Sequence, residues 1–276
     1  MRVVSTAGRT TRMDIERTVT LNNGVSMPTL GLGVWQMREG EETENAVRWA
    51  LEAGYRLIDT AKLYGNEKSV GKAIRASGIP REEIFVTTKF WPTDLIGVDA
   101  AFERSFRKLD LGYIDLYLVH FPSFVPGLGR PIRKRTWRGF EKLYQSKRAR
   151  AIGISNYGVS QIRELLSSCS IPPTVNQVQL NPFSYDRELL EFCASENIVV
   201  EAYSPLARGR KLDHSSITPI ARTHNKSPAQ VMIRWSWQHQ TVVIPKSSHR
   251  ERIIENSEVF DFELSPEEMR TINSVK

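Results

Sequence analysis

Short apolar, β-branched runs alternate with amphipathic helical stretches eight times between about residue 30 and residue 256, and few folds absorb such a pattern. The runs read LGLGVW (30–35), YRLID (55–59), IFVTTK (84–89), IDLYLVH (114–120), ARAIGIS (149–155), TVNQVQ (174–179), IVVEAYS (198–204) and TVVIP (241–245). Helical patterns occupy 42–54, 69–78, 99–112, 135–146, 159–168, 187–197, 227–239 and 248–257. A strand that must cross over a helix to reach the next strand pairs with it in parallel. Eight such units predict an α/β chain closed into a (β/α)8 TIM barrel rather than an open sheet. An N-terminal β-hairpin is predicted over VTLNNGVSMP (19–28), with Asn23–Gly24 as its turn and the bottom of the barrel as its seat. Ser227-Pro-Ala-Gln, Ser248-His-Arg-Glu and Ser265-Pro-Glu-Glu each read as a helix start with a capping box.

The 276 residues, 40% hydrophobic, suit one large core, so a single barrel domain is expected over 18–276, preceded by a leader without fixed structure over 1–17. No apolar run approaches the ~20 residues of a membrane span, and the first residues lack the apolar core of a secretory signal, so a cytoplasmic protein without membrane partners is expected. Cys169 and Cys193 lack metal-ligand spacing and read as a reduced pair; no metal is expected. The net charge of +7 raises the question of nucleic acid, but its densest run, RPIRKRTWR (130–138), comes with no nucleic-acid-binding motif. Solvated helix and loop faces explain these charges, and the expected partner is a small molecule. Short loops at 205–215 and at the C-terminus suggest a monomer.

In such a barrel chemistry gathers at the C-terminal ends of the strands. Asp59 ends the second run, Lys89 the third and His120 the fourth, while Tyr64 lies in the turn after Asp59. Singly, each has an ordinary reading: a turn-capping acid, a loop tyrosine, a snorkelling lysine, a satisfied core histidine. Together, at the ends of successive strands, they make a proton donor. A free tyrosine, with a pKa of ~10, is a poor acid at neutral pH. A nearby ammonium is expected to lower that value, a carboxylate to keep the ammonium charged and in place, and a neutral histidine to hydrogen-bond a substrate carbonyl. Reduction of a carbonyl by hydride needs this set. A separate cluster, Lys246, Ser247, Ser248 and Arg252, surrounds the start of the last barrel helix and reads as a phosphate site.

The segments VTLNNGVSMPTLGLGVWQ (19–36), GYRLIDTAKLYGNEKSVG (54–71), FVTTKFWPTD (85–94), DLYLVHFP (115–122), AIGISNY (151–157), NQVQLNP (176–182) and IPKSSHRERIIEN (244–256) resemble the aldo-keto reductases across about 18–276. The likeness is nearest to the short-loop members, similar to 2,5-diketo-gluconate reductases and protozoan prostaglandin F synthases. It implies that Asp59, Tyr64, Lys89 and His120 are a catalytic tetrad and that the cofactor is NADPH, with Lys246, Ser247, Ser248 and Arg252 on its 2′-phosphate. It further implies that Glu255 and Asn256 meet the adenine, and that Ser155, Asn156 and Gln177 hydrogen-bond the nicotinamide carboxamide. Tyr203 would stack on that ring, Ser204 and Leu206 would touch the pyrophosphate, and Gly33 and Val34 would approach the nicotinamide end. Trp35, Trp91 and Phe121 would wall the substrate pocket.

The implied activity is NADPH-dependent reduction of aldehydes or ketones to alcohols, with sugar-derived ketones as a second substrate class. The alternative, an NADPH-binding sensor or regulatory subunit, predicts a lost tetrad, and here all four residues are present. Departures from the family pattern bear on the substrate: Phe121 stands for a usual tryptophan, Asn181 for a usual histidine, and Lys62 and Gly65 flank Tyr64 in place of commoner small and polar residues. The chain stops at Lys276, where relatives carry a further loop, so a more open pocket is expected.

Overall fold

The computed structural model describes residues 17–92, 97–122 and 129–275. The leader expected over 1–17 lies outside these except for Arg17. Two short strands, β1 (Thr18–Thr20) and β2 (Ser26–Pro28), form the predicted antiparallel hairpin. Eight parallel strands follow: β3 (Leu32–Gly33), β4 (Leu57–Asp59), β5 (Phe85–Phe90), β6 (Ile114–Val119), β7 (Ala149–Ser155), β8 (Val175–Gln179), β9 (Val199–Tyr203) and β10 (Val242–Ile244). Each pairs with its sequence neighbour. The ring closes where Leu30 bridges Val243, with Gly31 N–H on the Val243 carbonyl at 2.9 Å and Gly33 N–H on that of Pro245 at 3.1 Å.

Helices cover the outside: α1 (Glu41–Glu52), α2 (Glu67–Ala76), α3 (Val98–Leu109), α4 (Gly129–Gln145), α5 (Val159–Leu166), α6 (Arg187–Ser195), α7 (Thr218–Thr223), α8 (Pro228–Gln238), α9 (Arg250–Glu255) and α10 (Pro266–Asn273). None of the described helices is long and apolar enough to cross a membrane. β5 and β6 are buried at every residue, as parallel strands covered on both faces must be. Alternation sorts their side chains. Tyr117, Val119, Ile152 and Ile154 face the helices, packing with Phe102, Phe140 and Ile162. Leu57, Phe85, Leu116, Leu118, Val175 and Val242 face inward and form one cluster with Leu21 and Met27 of the hairpin. The hairpin therefore plugs the bottom, where Asn22 and Asn23 donate to the carbonyls of Pro173 and Arg150 at 3.0 Å.

Ser227 and Ser265 cap α8 and α10 with reciprocal bonds to Gln230 and Glu268, as predicted. Ser248 does not cap α9: the cap position is His249, and the Ser247 hydroxyl accepts the His249 N–H at 3.1 Å, a local turn that displaces the helix start. The first barrel strand is two residues long rather than six, because the chain bends away after Gly33 toward Gln36 at φ 62°. α4 starts six residues before the predicted 135, with Pro131 in its first turn, where a missing N–H costs nothing. α7 was not foreseen; six residues with an early proline carry little periodic signal.

Candidate active site

β4 ends on Asp59, and the chain turns through a short 3-10 helix, Lys62–Tyr64, that closes on Gly65 at φ 72°, a left-handed conformation that glycine adopts without strain. The turn folds Tyr64 back over the strand ends. Lys89 is the penultimate residue of β5, and His120 follows β6 directly. The Lys89 ammonium is fully buried and donates to Asp59 Oδ1 and Oδ2 at 2.7 Å each, to the Thr60 carbonyl at 2.9 Å and to Tyr64 Oη at 3.1 Å. The four residues read from the sequence thus meet at one point, with the His120 ring edge-on to Tyr64 at 5.7 Å between centroids.

Electrostatics follow from burial and this pairing. Burial opposes the Lys89 charge, but Asp59 and Tyr64 outweigh it and raise its pKa. Burial likewise raises the Asp59 pKa, countered by Lys89 and Gln177. The Tyr64 phenol is pushed up to about 12, chiefly by burial; Lys89 acts downward, as expected, but does not win. Tyr64 is therefore a protonated phenol at neutral pH. Burial and the Lys89 charge push His120 down to about 3, so its imidazole is neutral, and its buried Nδ1 has no protein partner among the described residues.

Aromatic rings line the mouth. Trp91 meets His120 edge-on at 5.2 Å, and Phe121 stacks on His120 at 5.4 Å and an interplanar angle of 16°. Trp35, half-buried after β3, carries the Arg208 guanidinium 5.0 Å from its ring centroid, a contact the sequence reading missed. The loop after β9 that carries Arg208 is strained: Ser204, Ala207 and Arg208 all have positive φ (50°, 47° and 59°).

A polar ring continues around the barrel. Asn156 Nδ2 donates to the His120 carbonyl at 3.0 Å and to Ser155 Oγ at 2.9 Å, and Tyr203 Oη donates to Asn156 Oδ1 at 2.8 Å. Gln177 Nε2 donates to Asp59 Oδ2 and to Glu201 Oε2, both at 2.8 Å. Asn181 lies outside this ring and donates to the Ser204 carbonyl at 3.0 Å. Glu201 was read from the sequence only as part of a strand; the signal that could have found it is an acid in VVEAY two residues before Tyr203, on the same face.

Other predicted residues stand apart from the tetrad. Lys246 and Arg252 are exposed, while Ser247 and Asn256 are buried; Lys246, Ser247 and Ser248 lie on the connection from β10 into α9, Arg252 in that helix, and Glu255 and Asn256 at its C-terminal end. Gly33 lies against β10, where a Cβ would sit 3.1 Å from the Ile244 carbonyl. Val34 is fully buried, its N–H bonded to Asp59 O and its carbonyl accepting from Asn66 and Met37. Leu206 and Ser204 are half-buried at the rim.

Residues 29–276 match the model of the Aldo/keto reductase family. The chain is 53% identical to a 9,11-endoperoxide prostaglandin H2 reductase of Trypanosoma cruzi (strain CL Brener), over 93% of this chain and 90% of that protein. It is 47% identical to a glyoxal reductase of Bacillus subtilis (strain 168), over 95% and 93% respectively. Among solved structures it is similar to an aldo-keto reductase from a Medee basin deep-sea metagenome library, with a TM-score of 0.88, 44% identity and 94% of each chain covered. It is also similar to a Bombyx mori aldo-keto reductase in complex with NADP, with a TM-score of 0.85 and 37% identity, covering 93% of this chain and 92% of that one.

Proposed function

The chain belongs to the aldo/keto reductase family and is an oxidoreductase, and from that premise we propose that it reduces aldehydes or ketones to alcohols with NADPH as cofactor and Tyr64 as proton donor. The observation that carries this reading is the single ammonium of Lys89 shared between the Asp59 carboxylate at 2.7 Å and Tyr64 Oη at 3.1 Å. A phenol held protonated by burial needs help to give up its proton at neutral pH. The ammonium beside it, already in place 3.1 Å away, stabilises the phenolate as it forms. Asp59 and the Thr60 carbonyl hold that ammonium in place. Neutral His120 offers a ring nitrogen to the substrate oxygen, and Trp91 and Phe121 hold the imidazole ring.

Residues at the mouth fit NADPH. No protein donor reaches the Gln177 carbonyl oxygen among the described residues, which leaves an acceptor for a carboxamide N–H beside Ser155 and Asn156. The half-buried ring of Tyr203 offers a stacking face, with Ser204 and Leu206 following it to the rim. Lys246 and Arg252 supply two exposed cations for a phosphate, with Ser247, Ser248, Glu255 and Asn256 beside them. Bound NADPH supplies the hydride that the carbonyl carbon receives. The structure of the Bombyx mori relative, solved with NADP, supports the same choice.

Two measurements test the proposal. Tyr64→Phe is expected to lower kcat for phenanthrenequinone and methylglyoxal by about 100-fold or more while leaving NADPH binding, followed by fluorescence titration, intact. Wild-type turnover in that variant rules Tyr64 out. Lys246→Ala and Arg252→Ala are expected to weaken NADPH but not NADH; equal losses for both cofactors contradict the phosphate assignment.

A further inference from the structure

One fully buried acid has no part in the chemistry above. Glu201 sits in the middle of β9 on the same face as Val199 and Tyr203, and so points into the barrel. Its Oε2 accepts one hydrogen of the Gln177 amide at 2.8 Å, and the other hydrogen goes to Asp59 Oδ2 at 2.8 Å. Its Oε1 is buried without a protein partner among the described residues. Its titratable neighbours are Asp59 from β4, Lys89 from β5 and Tyr64 from the turn after β4, with His120 beyond Tyr64 and Tyr203 two residues on along its own strand face. At this level β3, β7 and β10 contribute Gly33, Gly153, Ser155, Val242 and Ile244, none of which ionises. Two carboxyl groups therefore share one cation. That cation already spends its hydrogens on Asp59, Thr60 and Tyr64.

We propose that Glu201 is a positioning residue of the reaction: together with Asp59 it turns the Gln177 amide so that its carbonyl oxygen faces the open end of the barrel, and it does so as a neutral acid. A primary amide can lie either way round. Two carboxyl oxygens that need donors on one side decide the question, and the carbonyl is left for a donor from outside. A second buried carboxylate without a cation of its own is not tolerated, so it keeps its proton. Burial, reinforced by the Asp59 charge, pushes Glu201 up to about 8. Above that pH a second negative charge stands behind Lys89. It acts on Tyr64 in the direction that strengthens its hold on its proton, and proton donation slows.

The kinetic part of this inference rests on the reductase reading of Tyr64; the titration of Glu201 does not. Glu201→Gln keeps an acceptor of the same shape and removes the titration. With phenanthrenequinone as substrate and each enzyme normalised to its own rate at pH 6.5, wild-type kcat/KM is expected to fall above about pH 8 and that of Glu201→Gln to stay level. A calorimetric Tm series adds a readout that needs no turnover. The folded pKa of Glu201 lies above the unfolded value of about 4.3. The stability it contributes is therefore complete below that unfolded value and lost as pH rises to about 8, so the Tm of wild type relative to Glu201→Gln falls across this window and is constant beyond it. Glu201→Met leaves one amide hydrogen without an acceptor, and NADPH is expected to bind about tenfold more weakly than to Glu201→Gln.

An identical alkaline fall in both enzymes with a Tm difference that does not vary with pH overturns the neutral-acid role. Equal NADPH affinity in the Met and Gln variants overturns the positioning role. If the wild type reduces no carbonyl, the reductase proposal fails while the Tm series still decides the charge state of Glu201.

Discussion

Lys89 spreads three hydrogens over four oxygens, one of them the Thr60 backbone carbonyl. Lys89→Met leaves Asp59 buried without its cation, so a loss of about 3–5 kcal/mol in stability is expected alongside lost turnover, measured by urea unfolding. His120, held near 3, is neutral throughout the working range. The rate is therefore expected to show no limb at the usual histidine value between pH 5 and pH 8, and an NMR titration of its ring to show no proton uptake there. Because its folded pKa lies below the unfolded one, His120 contributes stability that is present above about 6.5 and lost as pH falls toward 3. The cluster could be read from the sequence because Asp59, Lys89 and His120 close successive apolar runs with Tyr64 in the first turn, a coincidence that the ordinary reading of each residue alone does not explain. The outcome at Tyr64 could not be read: which of burial and the Lys89 charge prevails depends on how deep the turn folds. Glu201 was hidden for a similar reason, since its partner is Gln177, 24 positions away, and Gln177 reaches back 118 positions to Asp59.

At the scale of elements, alternating apolar runs located all eight barrel strands because buried parallel strands must be apolar throughout. Their ends depend on neighbours. Gly33 ends β3 where the chain lies against the Ile244 carbonyl, and Ser247 rather than Ser248 takes the first free amide before α9. The hairpin is a structural plug, and Met27, fully buried in the lower cluster, is its anchor. Met27→Ala is expected to cost about 2–5 kcal/mol in urea unfolding while leaving kcat unchanged. The turn bearing Tyr64 depends on Gly65 at φ 72°. Gly65→Ala is expected to strain it by about 1–2 kcal/mol and to lower kcat without weakening NADPH binding; unchanged kcat would show that the turn does not set the Tyr64 position.

Over the whole molecule, the barrel interior is divided. Its lower part, from the hairpin to Leu118 and Ile244, is apolar, and its upper part holds the linked set of Asp59, Lys89, Gln177 and Glu201. The ring itself is uneven. β5 and β6 share a long register, whereas β3, two residues long, meets β10 through a single bridge and a few backbone hydrogen bonds. A closed cylinder with one thin join has a zip, and local opening starts where the fewest bonds must break. Amide hydrogens of Gly31, Gly33 and Val243 are therefore expected to exchange with deuterium sooner than those of β5 and β6. Trp35 follows one side of that zip and Lys246 the other. A dinucleotide laid across both would act as its fastener, so adding NADPH should slow exchange at these three amides more than anywhere in β5 or β6, and saturation with cofactor would raise the cost of opening the barrel at its weakest line.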